Sequence, residues 1–134
     1  MNLIDRIKEH EGFRKHAYLC PAGKLTIGYG QRIDGDGPGV SESIADLMLR
    51  AEVSKIQDKL SAFSWWRGLD PVRQDVITEM CFQIGIGGVL KFNSMITALT
   101  HKNYAIAAQE MLDSKWAKMD SPKRAKELSL LMAG

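Results

Sequence analysis

Glu11, Cys20 and Thr26 fall within one stretch, EGFRKHAYLCPAGKLTIGYG, where a carboxyl group precedes a Pro/Gly turn that carries a thiol and a hydroxyl follows on the returning segment. Glycosidic bond cleavage uses such a set. The leaving oxygen must gain a proton from an acid on one side while a base or nucleophile drives attack at the anomeric carbon from the other. Glu11 is then the candidate acid, Cys20 the candidate base or nucleophile, and Thr26 the hydroxyl that holds a water between them. Each type also has an ordinary use: Glu at a helix end as a surface residue, Thr as a strand former, a solitary Cys as a buried filler. A thiol titrates near about 8.5 against about 3.9 for Asp, and a neighbouring Glu11 carboxylate is expected to push it higher. The thiolate remains a capable base or nucleophile, and one sensitive to oxidation.

The elements that must position these groups are legible from capping and periodicity. Leu3, Ile4 and Ile7 follow helical spacing behind Asn2, and Gly12 is placed to stop that helix, so Glu11 belongs at its C-terminus. Residues 16–33 change period and read as a hairpin of short strands turning at Pro21-Ala22-Gly23. Asp34-Gly35-Asp36-Gly37-Pro38-Gly39 resembles a calcium loop superficially but lacks the closing Glu and further oxygen ligands, and reads as a flexible connection. Ser41 then caps a helix with Ile44, Leu47, Ala51, Ile56 and Leu60 on one stripe, spanning roughly 30 Å.

Asp70-Pro71 opens the next helix, with Val72, Val76, Ile77, Met80 and Cys81 as its buried stripe and Gly85-Ile86-Gly87-Gly88 as its stop. Shorter helices are signalled after Asn93 or Ser94, after Asn103 and after Ser121-Pro122. The class is α+β and mostly helical, with the β part small and near the N-terminus. The Met residues are expected in the core, and Trp65-Trp66, placed near the end of the long helix, is expected to pack beneath the Asp70 turn although aromatic rings also stack on sugars.

The chain of 134 residues, 45% apolar and 25% charged, suits one globular domain. Residues 1–100 balance 12 basic against 12 acidic side chains, and residues 101–134 carry 6 against 4, which accounts for the net +2. That bias is too weak for a nucleic-acid interface, there is no Arg/Lys stripe, and no nucleic-acid partner is expected. Cys20 and Cys81 lie in unlike settings and no bridge is expected. His10, His16 and His101 have no zinc spacing, which argues against a metal-dependent amidase. MNLIDRIKEHEG lacks the apolar core of an export signal, and no segment is apolar enough to span a membrane.

Taken in order, Glu11-Gly12, Tyr18, Thr26-Ile27-Gly28-Tyr29-Gly30, Asp70-Pro71-Val72-Arg73, Phe82-Gln83-Ile84-Gly85, Phe92-Asn93-Ser94, Trp116 and Ser121-Pro122-Lys123-Arg124 resemble the bacteriophage lysozymes, or endolysins, of glycoside hydrolase family 24. The resemblance implies a single domain over residues 1–134 with two lobes: a small β-containing lobe at about 12–40, a connecting helix at about 41–62, and a helical lobe at about 63–134 joined by the N-terminal helix 2–11. It implies hydrolysis of the β-1,4 bond between N-acetylmuramic acid and N-acetylglucosamine in peptidoglycan. Glu11 takes the place of the general acid and Thr26 that of the residue placing the attacking water, while Cys20 stands where the family has Asp.

Arg124 matches an arginine that approaches the catalytic Glu, and Arg32, Phe82, Ser94 and Glu110 match sugar-contacting positions, with Gly30 allowing close backbone approach. Arg32 and Glu110 differ in type from the family's residues there. No metal or organic cofactor is implied. A monomer is expected, with an inverting course, no stable membrane association, accumulation in the host cytoplasm, and a separate membrane-permeabilising protein for access to the wall. The rival from another class is a non-catalytic peptidoglycan-binding protein on the same fold.

Overall fold

The computed structural model describes residues 2–134. Its contacts divide the chain into a unit ending at Asp46 and a second unit, Leu47–Gly134. The first unit holds helix α1 (Leu3–Glu11) and an antiparallel sheet of β1 (Arg14–Leu19), β2 (Leu25–Gly28) and β3 (Gln31–Arg32) in that order. Thus α1, expected with the helical lobe, groups with the sheet. Asn2 caps α1 by accepting the Asp5 amide at 2.8 Å. Gly12, at φ 72°, ends α1 where an L side chain would be strained, while its N–H still bonds the Lys8 carbonyl at 2.9 Å.

The sheet is larger than a hairpin. β1 begins at Arg14, before the expected 16, and pairs Tyr18 with Thr26 and Leu19 with Leu25, with a register irregularity between Arg14 and Tyr18. β3 was not expected and pairs Gln31 with Ile27 and Arg32 with Thr26. A strand of two residues is too short to show a period of two in the sequence. The loop that follows is ordered where it leaves the sheet. Gly37 N–H bonds the Asp34 carbonyl at 2.9 Å, the Asp36 amide donates to Asp34 Oδ1 at 3.2 Å, and Arg32 Nε sits 2.7 Å from Asp34 Oδ1. The expected flexible connection is therefore tethered by an Asx-type turn and an ion pair.

Helix α2 (Glu42–Leu60) starts in the first unit and ends in the second, and its 19 residues span about 28 Å. Ser41 Oγ accepts the Ile44 amide at 3.2 Å. Its apolar stripe enters the core only at its C-terminal end, through Ile56 and the fully buried Leu60, whereas Ile44 and Leu47 stay exposed. Trp65 and Trp66 lie not on α2 but on a separate short helix, α3 (Ser64–Arg67), after a turn at Ser61-Ala62.

Helix α4 (Pro71–Val89) starts on an Asp70 cap, with Val76, Ile77, Met80 and Cys81 buried. Val72 is exposed, contrary to its expected place in the stripe, because it sits in the first turn before the helix enters the core. Gly85, at φ 80° and ψ 157°, is not helical and ends the first stretch of α4 as expected; a further short helical stretch, which was not expected, runs on to Val89. Helices α5 (Asn93–Thr100), α6 (Tyr104–Leu112) and α7 (Pro122–Ala133) follow, with a π-helical turn at Trp116–Asp120 that capping rules do not announce. Met80, Met95, Met111 and Met132 are core residues, while Met48 and Met119 are exposed and depart from the expectation. Trp66 is buried and Gln74 clamps it: its indole N–H donates to the Gln74 carbonyl at 3.2 Å, and Gln74 Nε2 returns a bond to the Trp66 carbonyl at 3.2 Å.

Candidate active site

In the first unit, the end of α1 is fastened to the turn between β2 and β3. The Phe13 ring packs on Tyr29 at 5.6 Å between centroids, and Lys8 Nζ lies 5.3 Å from the Tyr29 centroid. Gln31 Oε1 accepts the Tyr29 amide at 2.7 Å and so closes the turn. These contacts bring the Glu11 carboxylate against Gly30: a Cβ built on Gly30 would stand 2.6 Å from Glu11 Oε2. Gly30 is at φ 79°, so both its backbone and the space beside it suit glycine. Glu11 itself is exposed.

Cys20 and Thr26 meet across the other turn. The Cys20 amide donates to the Lys24 carbonyl at 2.9 Å and the Gly23 amide to the Cys20 carbonyl at 2.8 Å, with Gly23 at φ 74°. The Cys20 thiol is held below its ordinary value, first by the Lys24 amide, then by the Ala22 amide and the Thr26 hydroxyl, against a smaller opposing cost of desolvation. This reverses the expectation of a raised thiol: the local donors outweigh the cost of desolvation at the half-buried sulfur, and Glu11 is not among the groups that shift it.

Thr26 is buried, 4% exposed, and its hydroxyl donates to the Lys24 carbonyl at 2.8 Å. Its single hydrogen serves that carbonyl or the thiolate, not both. Arg32 is engaged by the loop after β3, pairing with Asp34 at 2.7 Å and Asp36 at 3.8 Å. The guanidinium holds the Asp34 carboxyl below the usual carboxylate range.

In the second unit the remaining candidates separate into two hollows. Ser94 and Glu110 share one of about 350 Å³ with Lys91, Asn93, Asp113 and Ser114. Asp113 is paired with Lys118 at 2.8 Å, which lowers its pKa. Phe82 and Arg124 share another of about 420 Å³ with Thr78 and Glu79, and there Arg124 Nε donates to Glu79 Oε2 at 2.7 Å. Glu79 is a partner of Arg124 that the sequence reading missed; no spacing signal links positions 79 and 124, which lie on different helices.

Gln83 was also overlooked as a functional residue. Its Oε1 accepts the Trp116 indole N–H at 2.8 Å, and its Nε2 donates to Ser121 Oγ, the residue before α7. The Gln83, Trp116 and Ser121 side chains thus fix the start of the helix that carries Arg124. All three stood in the resembling string, which was the available signal.

The family model described as phage lysozyme matches residues 8–131. The chain is 28% identical over 138 residues to probable T4-type lysozyme 1 of Dictyostelium discoideum, covering 99% of this chain and 78% of the relative. It is 28% identical over 142 residues to the endolysin of Salmonella phage P22, covering 98% and 96%. It is 22% identical over 161 residues to the pre-baseplate central spike protein Gp5 of Enterobacteria phage T4, covering all of this chain but only 28% of that longer relative. Since the match takes in the end of α1, the whole sheet and nearly all of α7, the chain belongs to the phage lysozyme family.

Proposed function

We propose that this protein is a muramidase that hydrolyses the β-1,4 bond between N-acetylmuramic acid and N-acetylglucosamine in peptidoglycan. The observation that carries the reading is the phage lysozyme match over residues 8–131, together with a first unit that holds both the Glu11 carboxyl group beside Gly30 and Cys20 at the turn after β1. Glu11 donates its proton to the glycosidic oxygen as the bond to the anomeric carbon breaks. The Cys20 thiolate takes a proton from water, whose oxygen attacks the opposite face of the oxocarbenium-like centre. One product leaves with a new hydroxyl, the other as a hemiacetal. Glu11 is left ionised, Cys20 is left as thiol, and proton exchange with solvent restores both. Thr26 positions the water through its oxygen lone pairs while its proton remains on Lys24. Gly30 and Arg32 in the first unit and Phe82, Ser94 and Glu110 in the second are the proposed glycan contacts, and Arg124, bonded to Glu79, is proposed as a supporting residue.

Direct attack by the Cys20 sulfur would instead leave a covalent S-glycosyl protein, visible by mass. The family membership supports a setting in which the enzyme accumulates in the host cytoplasm, as a monomer, and meets the wall after another protein permeabilises the membrane. Among the described residues no helix is long and apolar enough to cross a membrane. Turbidity loss of exposed cell walls together with new reducing ends tests the reading: wild type is expected to produce both and Glu11→Gln neither. Wall binding by the wild type without new reducing ends would replace the reading with a non-catalytic glycan-binding protein.

A further inference from the structure

The Trp65-Trp66 pair is split by the fold. Trp66 is core, but Trp65 is only half-buried and lines a hollow of about 110 Å³ with Ser64, Leu99, Thr100, Lys102 and Tyr104. The other two indoles have their N–H groups bonded, Trp66 to Gln74 and Trp116 to Gln83, whereas the Trp65 N–H has no hydrogen-bond partner among the described residues. Thr100 Oγ1 spends its proton on the Ile96 carbonyl at 2.9 Å and keeps its lone pairs as acceptors. Ser64 is exposed and its hydroxyl is likewise without a partner among the described residues.

Lys102 lines the same hollow. It is the only non-glycine among the described residues with positive φ, at 57°, a position where Gly or Asn would sit without strain. The helix close explains it: the Lys102 and Asn103 amides bond the Leu99 and Ala98 carbonyls at 3.0 and 2.8 Å, and this turn at the end of α5 leaves Lys102 on the lining of the hollow.

We propose that this hollow is a second saccharide site, carried by α3 and the α5–α6 turn, that takes an N-acetylhexosamine of the glycan strand. The volume is too small for a whole sugar and fits a substituent. An acetamido group needs a donor for its carbonyl and an acceptor for its N–H, and the Trp65 indole N–H and the Thr100 hydroxyl oxygen supply that pair. The indole face takes the apolar face of the pyranose, and Ser64 and Lys102 meet its hydroxyls. No carboxylate lines the hollow, so nothing there repels an acidic wall polymer. Choosing a glycan rather than another acetamido compound rests on the muramidase reading. A site of this kind keeps the protein on an insoluble strand between cleavages.

The test uses the full chain as Glu11→Gln, so that the glycan is held and not cleaved, followed by ¹⁵N NMR while the trimer of N-acetylglucosamine is added. The Trp65 indole signal and the Ser64, Thr100 and Lys102 amides are expected to move together. Adding Trp65→Ala should weaken binding read at the Thr100 and Lys102 amides about tenfold, and adding Trp65→Phe, which keeps an aromatic face but has no N–H for the acetamido carbonyl, should weaken it by a smaller factor while erasing the preference over a glucose trimer. Lys102→Gly relieves the strained backbone, so it should raise thermal stability while weakening the saccharide. Silence of these four signals at millimolar trimer, equal affinity in the Trp65→Ala protein, or an equal response to a glucose trimer lacking acetamido groups would overturn the proposal. Reducing-end release by the wild type is scored separately, so a failed muramidase reading and a failed second site give different results.

Discussion

Removing the guanidinium of Arg73 should destabilise the helical unit by about 3 kcal/mol. Arg73 lies in the first turn of α4 with its side chain only 16% exposed. Its Nε donates to the Met132 carbonyl at 2.7 Å and its Nη2 to the Ala133 carbonyl at 3.2 Å, capping the C-terminal end of α7, where helix carbonyls lack partners and a cation is favoured. The guanidinium also lies 3.8 Å from the Tyr104 ring centroid. A charged donor bonded to a carbonyl contributes roughly 1.5 kcal/mol at the low end, and the partly shielded cation–π contact about 1 kcal/mol. With one strong bond, one longer bond and the ring contact, the sum is near 3 kcal/mol after allowing for overlap between them.

Arg73→Met is the right substitution because it keeps the aliphatic stem packed and deletes only the polar head. All three tryptophans lie in this unit, so indole fluorescence during urea unfolding reports on it directly. With a slope of about 2 kcal/mol/M, the midpoint should fall by about 1.5 M. The contrast depends on pH. Asp70 is held below the usual carboxylate range, first by its hydrogen bond from Arg73, so its contribution is complete above the unfolded carboxyl pKa and is lost as pH falls through the lowered folded value. The gap between wild type and Arg73→Met should therefore narrow below about pH 4. A midpoint change under about 0.3 M at neutral pH would show that the capping bonds are replaced by water without cost, and the reasoning would fail.

Two further outcomes follow from the first unit. Gly30→Ala places a methyl 2.6 Å from Glu11 Oε2 at a φ of 79°, so stability should drop by only about 1–2 kcal/mol while wall hydrolysis drops about a hundredfold, measured by urea unfolding and turbidity. Hydrolysis undiminished by Gly30→Ala would separate the Glu11 position from the chemistry. Because the Cys20 thiol is lowered but remains a thiol, wild-type activity should rise with pH through its titration, and Cys20→Asp should move that acid limb down by several pH units. A pH–rate profile indifferent to Cys20→Asp, or full activity after complete alkylation of Cys20, would remove the thiolate from the mechanism.

How much of this was legible in the residues depends on how local the cause is. Asn2, Ser41, Asp70 and Asn103 act on amides within three residues, so the helix starts could be read directly. The stop at Gly85 was legible because a glycine sets its own φ, but the short helical stretch beyond it was not, since whether helix resumes depends on packing such as the buried Val89. The π-helical turn at Trp116–Asp120 and the strand Gln31–Arg32 have no period long enough to register. The turns that carry Glu11 and Cys20 were legible because they are written in Gly, Pro and Ala. The Arg124–Glu79 pair depends on how α7 meets α4, a long-range fact that no short window contains.

The misjudged thiol carries a different lesson. Reasoning from charge alone set Glu11 against Cys20 and forecast a raised pKa. What sets the direction is the turn itself: the Lys24 and then the Ala22 amide lower the thiol, and backbone donors in a turn held by Gly23 are oriented before any charge forms. The arrangement favours an anion at this position with little regard to which atom bears it, because amides serve a thiolate or a carboxylate alike. The exchange of Asp for Cys therefore changes the intrinsic acidity of the group while leaving in place the donors that favour its ionised form. If that is right, mutations that disturb the turn should harm both versions of the protein. Gly23→Val, which strains a backbone at φ 74°, should cut activity in the Cys20 and the Cys20→Asp proteins by the same factor, whereas a loss confined to the thiol form would place the decisive contacts elsewhere.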